Sequence, residues 1–110
     1  MRRFDMVVEP DAAGVRIALS GELDLACAYT FDARLREVEE RGPASILLDI
    51  RDLSFCDSAG LGRILAAHKR ARIAGRPFRL TRGSKTVQRV LAIAALDQIL
   101  EFVPEAAPTA

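Results

Sequence analysis

Ile46-Leu47-Leu48-Asp49-Ile50-Arg51-Asp52-Leu53-Ser54-Phe55-Cys56-Asp57-Ser58-Ala59-Gly60-Leu61-Gly62 is the stretch whose reading decides the fold. Residues 46–50 are a short, nearly continuous apolar run between turn signals, as expected of a central strand covered on both faces. Residues 52–62 bring a polar pair and two glycines to the entrance of a helix that the spacing of Leu61, Ile64, Leu65 and His68 predicts from Ser58 to Ile73. That places the segment at the C-terminal end of a central strand, where open α/β sheets gather their binding sites and where a helix N-terminus favours negative charge. A hydroxyl at Ser58 has two readings there. It is an N-cap accepting a backbone N–H, with Gly60 and Gly62 allowing close packing, or it is a surface hydroxyl placed to carry phosphate. The glycines sit awkwardly with the first reading, since each costs roughly 1 kcal/mol of helix propensity against alanine.

Working outward, Phe4 to Glu9 reads as a first strand. Val15, Ile17 and Leu19 alternate with polar or small neighbours as a half-buried second one, with a turn from Asp11 to Gly14 between them. Ala28, Phe31, Leu35 and Val38 recur at helical spacing within Leu25–Arg41, which Gly42-Pro43 ends. Gly75 stops the second helix, Phe78 to Thr81 returns as a strand, and Ser84 caps a third helix burying Val87, Val90, Leu91 and Ala94. Ile99 to Val103 is apolar enough for a last strand or a docked helix. The order β-β-α-β-α-β-α specifies a single α/β domain over residues 1–103, a mixed β-sheet with an N-terminal antiparallel hairpin and interspersed helices. Pro104 to Ala110 reads as a frayed tail.

The 110 residues are half hydrophobic, the size of one ordinary domain. Cys27 and Cys56 form no Cys-x-x-Cys pair and no disulfide framework, which suits a reducing, cytoplasmic setting. No apolar run approaches the ~20 residues that cross a bilayer, and no signal-peptide stretch precedes Asp11. Net charge is +1, yet residues 1–57 hold seven basic and twelve acidic side chains while residues 58–96 hold nine basic and none acidic. The basic set is read as solvated faces of two helices and a strand. Phe78 and Tyr29 are too few and too far apart to act as base-stacking platforms, so no nucleic-acid partner is expected. A serine hydrolase would need a base beside Ser58, but the lone histidine, His68, lies ten residues along the same helix, about 15 Å of axial rise away. With one histidine and unclustered cysteines no metal site is expected, and no glycine-rich nucleotide pattern or other cofactor site is present.

Asp57-Ser58-Ala59-Gly60-Leu61-Gly62, preceded by Asp52-Leu53-Ser54-Phe55, resembles the signature of the STAS domain in bacterial anti-sigma factor antagonists. Ser20-Gly21-Glu22-Leu23-Asp24 is similar to that family's segment after the second strand, and Val87 to Leu96 to its third helix. The resemblance implies a non-enzymatic partner switch. The unphosphorylated protein binds an anti-sigma factor that is also a GHKL-type serine kinase, and so releases a sigma factor. Phosphorylation of Ser58 ends binding, and a PP2C-type phosphatase resets the cycle. It places partner contacts at Asp24, Asp57, Ser58, Ala59, Gly60, Leu61 and Gly62, with Asp24 equally readable as an acidic cap of the first helix. Ala59 stands where a second serine can occur, leaving Ser58 the only hydroxyl at the entrance. The alternative within the same fold is a STAS accessory subunit of a lipid-transport ABC complex, or a stress-signalling scaffold.

Overall fold

Two alternations build the sheet. In Gly14–Leu23 (β2), Ile17, Leu19 and Leu23 are buried while Ala18, Ser20 and Glu22 between them are half-covered. In Ile46–Cys56 (β3), Ile46, Leu48 and Ile50 face the core. The computed structural model describes residues 3–12 and 14–104. Asp5–Asp11 (β1) pairs antiparallel with β2, β3 runs parallel to β2, and Phe78–Leu80 (β4) parallel to β3, giving the order β1-β2-β3-β4. The expected mixed sheet with a leading hairpin is present. Ala13, within the turn expected from Asp11 to Gly14, and residues 105–110, most of the expected tail, lie outside the described residues.

Leu25–Glu40 (α1), Ser58–Ala74 (α2) and Lys85–Ile93 (α3) feed one core. Phe31 and Leu35 of α1, Ile64 and Ala67 of α2, and Val87 and Leu91 of α3 pack against Ile17, Leu48 and Ile50 of the sheet. Parity puts Arg16, Asp49 and Arg51 on the other face. There Asp49 is buried beneath charge: Arg51 donates to it from Nε at 3.0 Å and Nη2 at 2.7 Å, Arg16 from Nη2, and Thr81 from its hydroxyl at 3.2 Å. The forked Arg51 holds the Asp49 carboxyl well below the usual carboxylate range, and burial opposes it only partly.

Four expectations need correction. The central strand does not stop at Ile50 but runs to Cys56. Two register shifts, where β3 carries an extra residue at 50–51 and at Ser54, let β2 follow it to its end, and the Ser54 hydroxyl donates to the Gly21 carbonyl at 3.0 Å. Ala94 is exposed as the C-cap of α3 rather than part of its buried face. Ile99 to Val103 forms neither a strand nor a helix. After the 3₁₀ turn Leu96–Gln98 it makes a single parallel bridge from Phe102 to Leu80 and buries Leu100. The basic side chains of 58–96 are not all solvated: Arg70 is held by Glu39 at 2.7 and 2.8 Å, which raises its pKa further, and Arg76 Nε donates to the Pro43 carbonyl at 2.8 Å.

Candidate functional site

β2 and β3 end side by side, with Leu23 opposite Cys56, and each hands the chain directly to a helix. The N-termini of α1 and α2 therefore open at the same edge of the sheet. Asp24 caps α1 in extended backbone, its Oδ1 accepting from the Ala26 N–H at 3.0 Å. Cys27, at the third helical position, completes the reciprocal capping contact, a place usually taken by Glu or Gln.

Asp57, not Ser58, caps α2. Its Oδ1 accepts from the Gly60 N–H at 3.0 Å while its Oδ2 accepts from the Leu25 N–H, also at 3.0 Å. One carboxylate thus satisfies a free donor at each helix start and ties the two together; the Asp57 N–H donates to the Leu23 carbonyl at 3.1 Å. Ser58 becomes the first helical residue, exposed, and its hydroxyl makes no hydrogen bond among the described residues. The capping reading of Ser58 is overturned, because the preceding acid has taken that task.

The two glycines separate. A Cβ on Gly60 would lie 2.8 Å from both the Leu23 Cγ and the Leu23 carbonyl oxygen, and 2.9 Å from the Cys56 Sγ. Gly60 is the price of bringing α2 against the end of β2. A Cβ on Gly62 would meet nothing within 4 Å among the described residues beyond its own stretch of α2. Of the predicted contact positions, Gly60 and Leu61 face inward and are buried, Ala59 and Gly62 are half-covered, and Ser58 is open. Cys56 is sealed beneath the turn, where burial pushes its thiol up to about 12, and burial raises Cys27 as well. Both thiols stay protonated at neutral pH.

Sequence reading missed the apolar surface beside the serine. Leu25, tied to Asp57, is 63 % exposed, and Tyr29, one helical turn on, is 69 % exposed with the Arg63 guanidinium 5.7 Å over its ring. The signal was available, since both residues fall off the Ala28–Phe31–Leu35–Val38 stripe and so have no core to enter. His68 is buried two to three turns down α2, and no described side chain is hydrogen-bonded to the Ser58 hydroxyl.

Fold and site together define a small α/β protein that presents one serine, flanked by exposed apolar side chains, where two helix N-termini meet. The chain belongs to the STAS-domain family: residues 6–103 match the family model described as "Mlab, STAS domain". It is 26 % identical over 95 residues to the anti-sigma-B factor antagonist of Bacillus subtilis (strain 168), covering 86 % of each chain. A Thermotoga maritima protein assigned as an anti-sigma factor antagonist superposes with a TM-score of 0.82 at 26 % identity, over 88 % of this chain and 84 % of that one. The phosphorylated form of the Bacillus cell fate determinant SpoIIAA superposes with a TM-score of 0.70 at 24 % identity, over 92 % and 93 % of the two chains, a likeness of fold. Among the described residues no helix is long and apolar enough to cross a membrane.

Proposed function

We propose that this chain is a cytoplasmic anti-sigma factor antagonist, a binding module rather than an enzyme, switched by phosphorylation of Ser58. Unphosphorylated, it binds an anti-sigma factor that is a GHKL-type serine kinase and thereby frees a sigma factor; the kinase phosphorylates Ser58 and the complex separates; a PP2C-type phosphatase restores the hydroxyl. The observation that carries this reading is the unengaged Ser58 hydroxyl on the first turn of α2, relieved of capping by Asp57. The two antagonist relatives at 26 % identity support it.

The electrostatics suit such a switch. A phosphate adds about −1.5 to −2 charges, and at a helix start the dipole and nearby N–H groups accommodate it without unfolding. A protein of the same fold exists in phosphorylated form, in keeping with that tolerance. Binding suffers instead. A dianion beside the Asp57 and Asp24 carboxylates has to be desolvated against a surface shaped for a neutral hydroxyl and for Leu25 and Tyr29. A loss of ~3 kcal/mol weakens affinity more than a hundredfold. Ser58, Ala59, Gly62 and the outer edges of Asp24 and Asp57 make the contact; Gly60 and Leu61 shape the turn from beneath.

The test uses wild type and Ser58→Asp as baits in cytosolic lysate, with retained proteins identified by mass spectrometry and the folding of both baits checked by thermal melts. Retention of a GHKL-type kinase by wild type alone is the expected result. If both baits hold the same transporter ATPase, the accessory-subunit reading replaces this one.

A further inference from the structure

Four of the nine basic residues of 58–96, Arg63, Lys69, Arg70 and Arg72, lie on two flanks of α2. Arg63 and Arg70, two turns apart on one line, lean on α1: Arg70 pairs with Glu39 and, at 3.4 Å, with Asp32, and Arg63 stands 4.0 Å from Asp32. Lys69 and Arg72 lie on the other flank and have no ion pair or hydrogen-bond partner for their side chains among the described residues. Between that flank and the segment after α3 runs a groove of about 480 Å³, lined by Leu65, His68, Lys69, Arg72, Ile73 and Ile99.

Two independent features mark the groove as unfilled. Ile73 is 89 % exposed and Ile99 49 %, so its apolar wall faces water. His68 is only 6 % exposed, lines the groove, and has no described residue hydrogen-bonded to its ring. Its ring nitrogens are not sealed from solvent, since no buried side-chain nitrogen or oxygen among the described residues lacks a partner, and they offer a hydrogen-bonding edge to whatever occupies the groove. Cations on the rim, a hydrogen-bonding ring on the floor and an apolar wall select one chemistry: carboxylates interleaved with aliphatic side chains.

We propose that this groove docks an acidic amphipathic helix of a partner protein, its carboxylates over Lys69, Arg72 and His68 and its apolar stripe on Leu65, Ile73 and Ile99. Leu65 to Ile73 spans about 12 Å of α2, enough for two turns of a facing helix anchored at i, i+4 and i+7. Nucleic acid offers no apolar stripe for Ile73 and Ile99, and a bilayer surface does not reach a floor as covered as His68. Lys69 lies about 16 Å along α2 from Ser58, so the groove is engaged independently of the serine, and the proposal does not rest on the antagonist reading.

The experiment titrates the ¹⁵N-labelled full chain with a synthetic helical peptide of about 14 residues, leucines along one face and glutamates beside them, followed by amide shifts. The expected result is shifts confined to residues 65–73 and 99. Affinity should fall roughly tenfold or more in Ile73→Asp and in the double variant Lys69→Glu with Arg72→Glu, and remain within about twofold in Ser58→Asp. A peptide with lysines in place of the glutamates should bind the double variant better than the wild type, a gain that a merely misfolded variant cannot show. Equal binding of a scrambled peptide of the same composition, or unchanged affinity in the groove variants, overturns the proposal. So do vesicles containing phosphatidylglycerol, or duplex DNA, that shift the same amides where the peptide does not, and so does a dimer in sedimentation that Ile73→Asp dissolves.

Discussion

The two sides of the α2 entrance are built from adjacent residues and used in opposite ways. On the inner side, Asp57 spends both carboxylate oxygens on backbone donors, Gly60 is pressed between Leu23 and Cys56, and Leu61 is in the core. On the outer side, the Ser58 hydroxyl bonds to nothing described, Gly62 has open space around it, and Leu25 and Tyr29 show most of their surface to water. The inner side fixes where two helices begin; the outer side gives up stability that the fold could have had. A surface that declines available stabilisation in a cluster is the mark of a binding face, and substitutions on the two sides should separate folding from binding.

The largest effect is expected inside. Gly60→Val places atoms where the Leu23 carbonyl already stands 2.8 Å from a bare Cβ, and backbone cannot move aside as a flexible side chain could. A destabilisation of about 3 kcal/mol, lowering Tm by roughly 15 °C, should appear in thermal unfolding. A loss below about 1 kcal/mol would mean that α2 slides outward freely, and the division between inner and outer sides would fail.

Asp49 tests whether a spent carboxylate elsewhere behaves as Asp57 does. Its folded pKa lies below the ordinary 3.8, so its contribution is present above that value and is lost as pH falls through the folded one. Asp49→Asn should cost about 2 kcal/mol at neutral pH, by weakening charge-assisted bonds from Arg51 and Arg16; the gap between wild type and variant should begin to narrow as pH falls below the ordinary 3.8 and should close only below the folded pKa. Chemical denaturation at several pH values measures it. Asp57→Ala follows at about 1–2 kcal/mol, since it removes caps from two helices at once. The diagnostic for Asp57 is amide exchange: protection should fall at both Leu25 and Gly60, residues distant in sequence.

Much of this was legible in the sequence, and the failures have a common cause. The run Ile46–Ile50 announced the core strand, and the helix stripes gave most of the inner faces, Ala94 at the end of α3 excepted, because burial writes a period into the chain. The continuation of β3 to Cys56 was hidden, since Arg51, Asp52 and Ser54 break the alternation and the pairing with β2 depends on two register shifts at which β3 carries the extra residue. Choosing between Asp57 and Ser58 as cap was undecidable locally, as both residue types cap well; the Leu25 N–H, thirty-two positions away, decides for the acid by offering its second oxygen a donor. Gly60 and Gly62 read alike for the same reason. What distinguishes them is Leu23 and Cys56, which only the folded sheet brings to one of the two.

Gly62→Ala carries the comparison furthest although its effect is the smallest. Among the described residues, nothing beyond its chain neighbours and the adjacent turns of α2 lies within 4 Å of the Cβ it would add, so the expected intramolecular consequence is the better helix propensity of alanine, a gain of about 0.5–1 kcal/mol and a Tm higher by a few degrees. Such a residue is retained at a cost to stability when something outside the chain needs the space, and Gly62 is one turn on from Ser58, on nearly the same line along α2. Melting curves should therefore show a more stable protein, while retention of the partner captured by wild-type bait should fall. A variant that is more stable and binds as before would remove Gly62 from the contact and leave Ser58, Leu25 and Tyr29 to carry it. One that is less stable would mean that the outer side, too, is held by the fold.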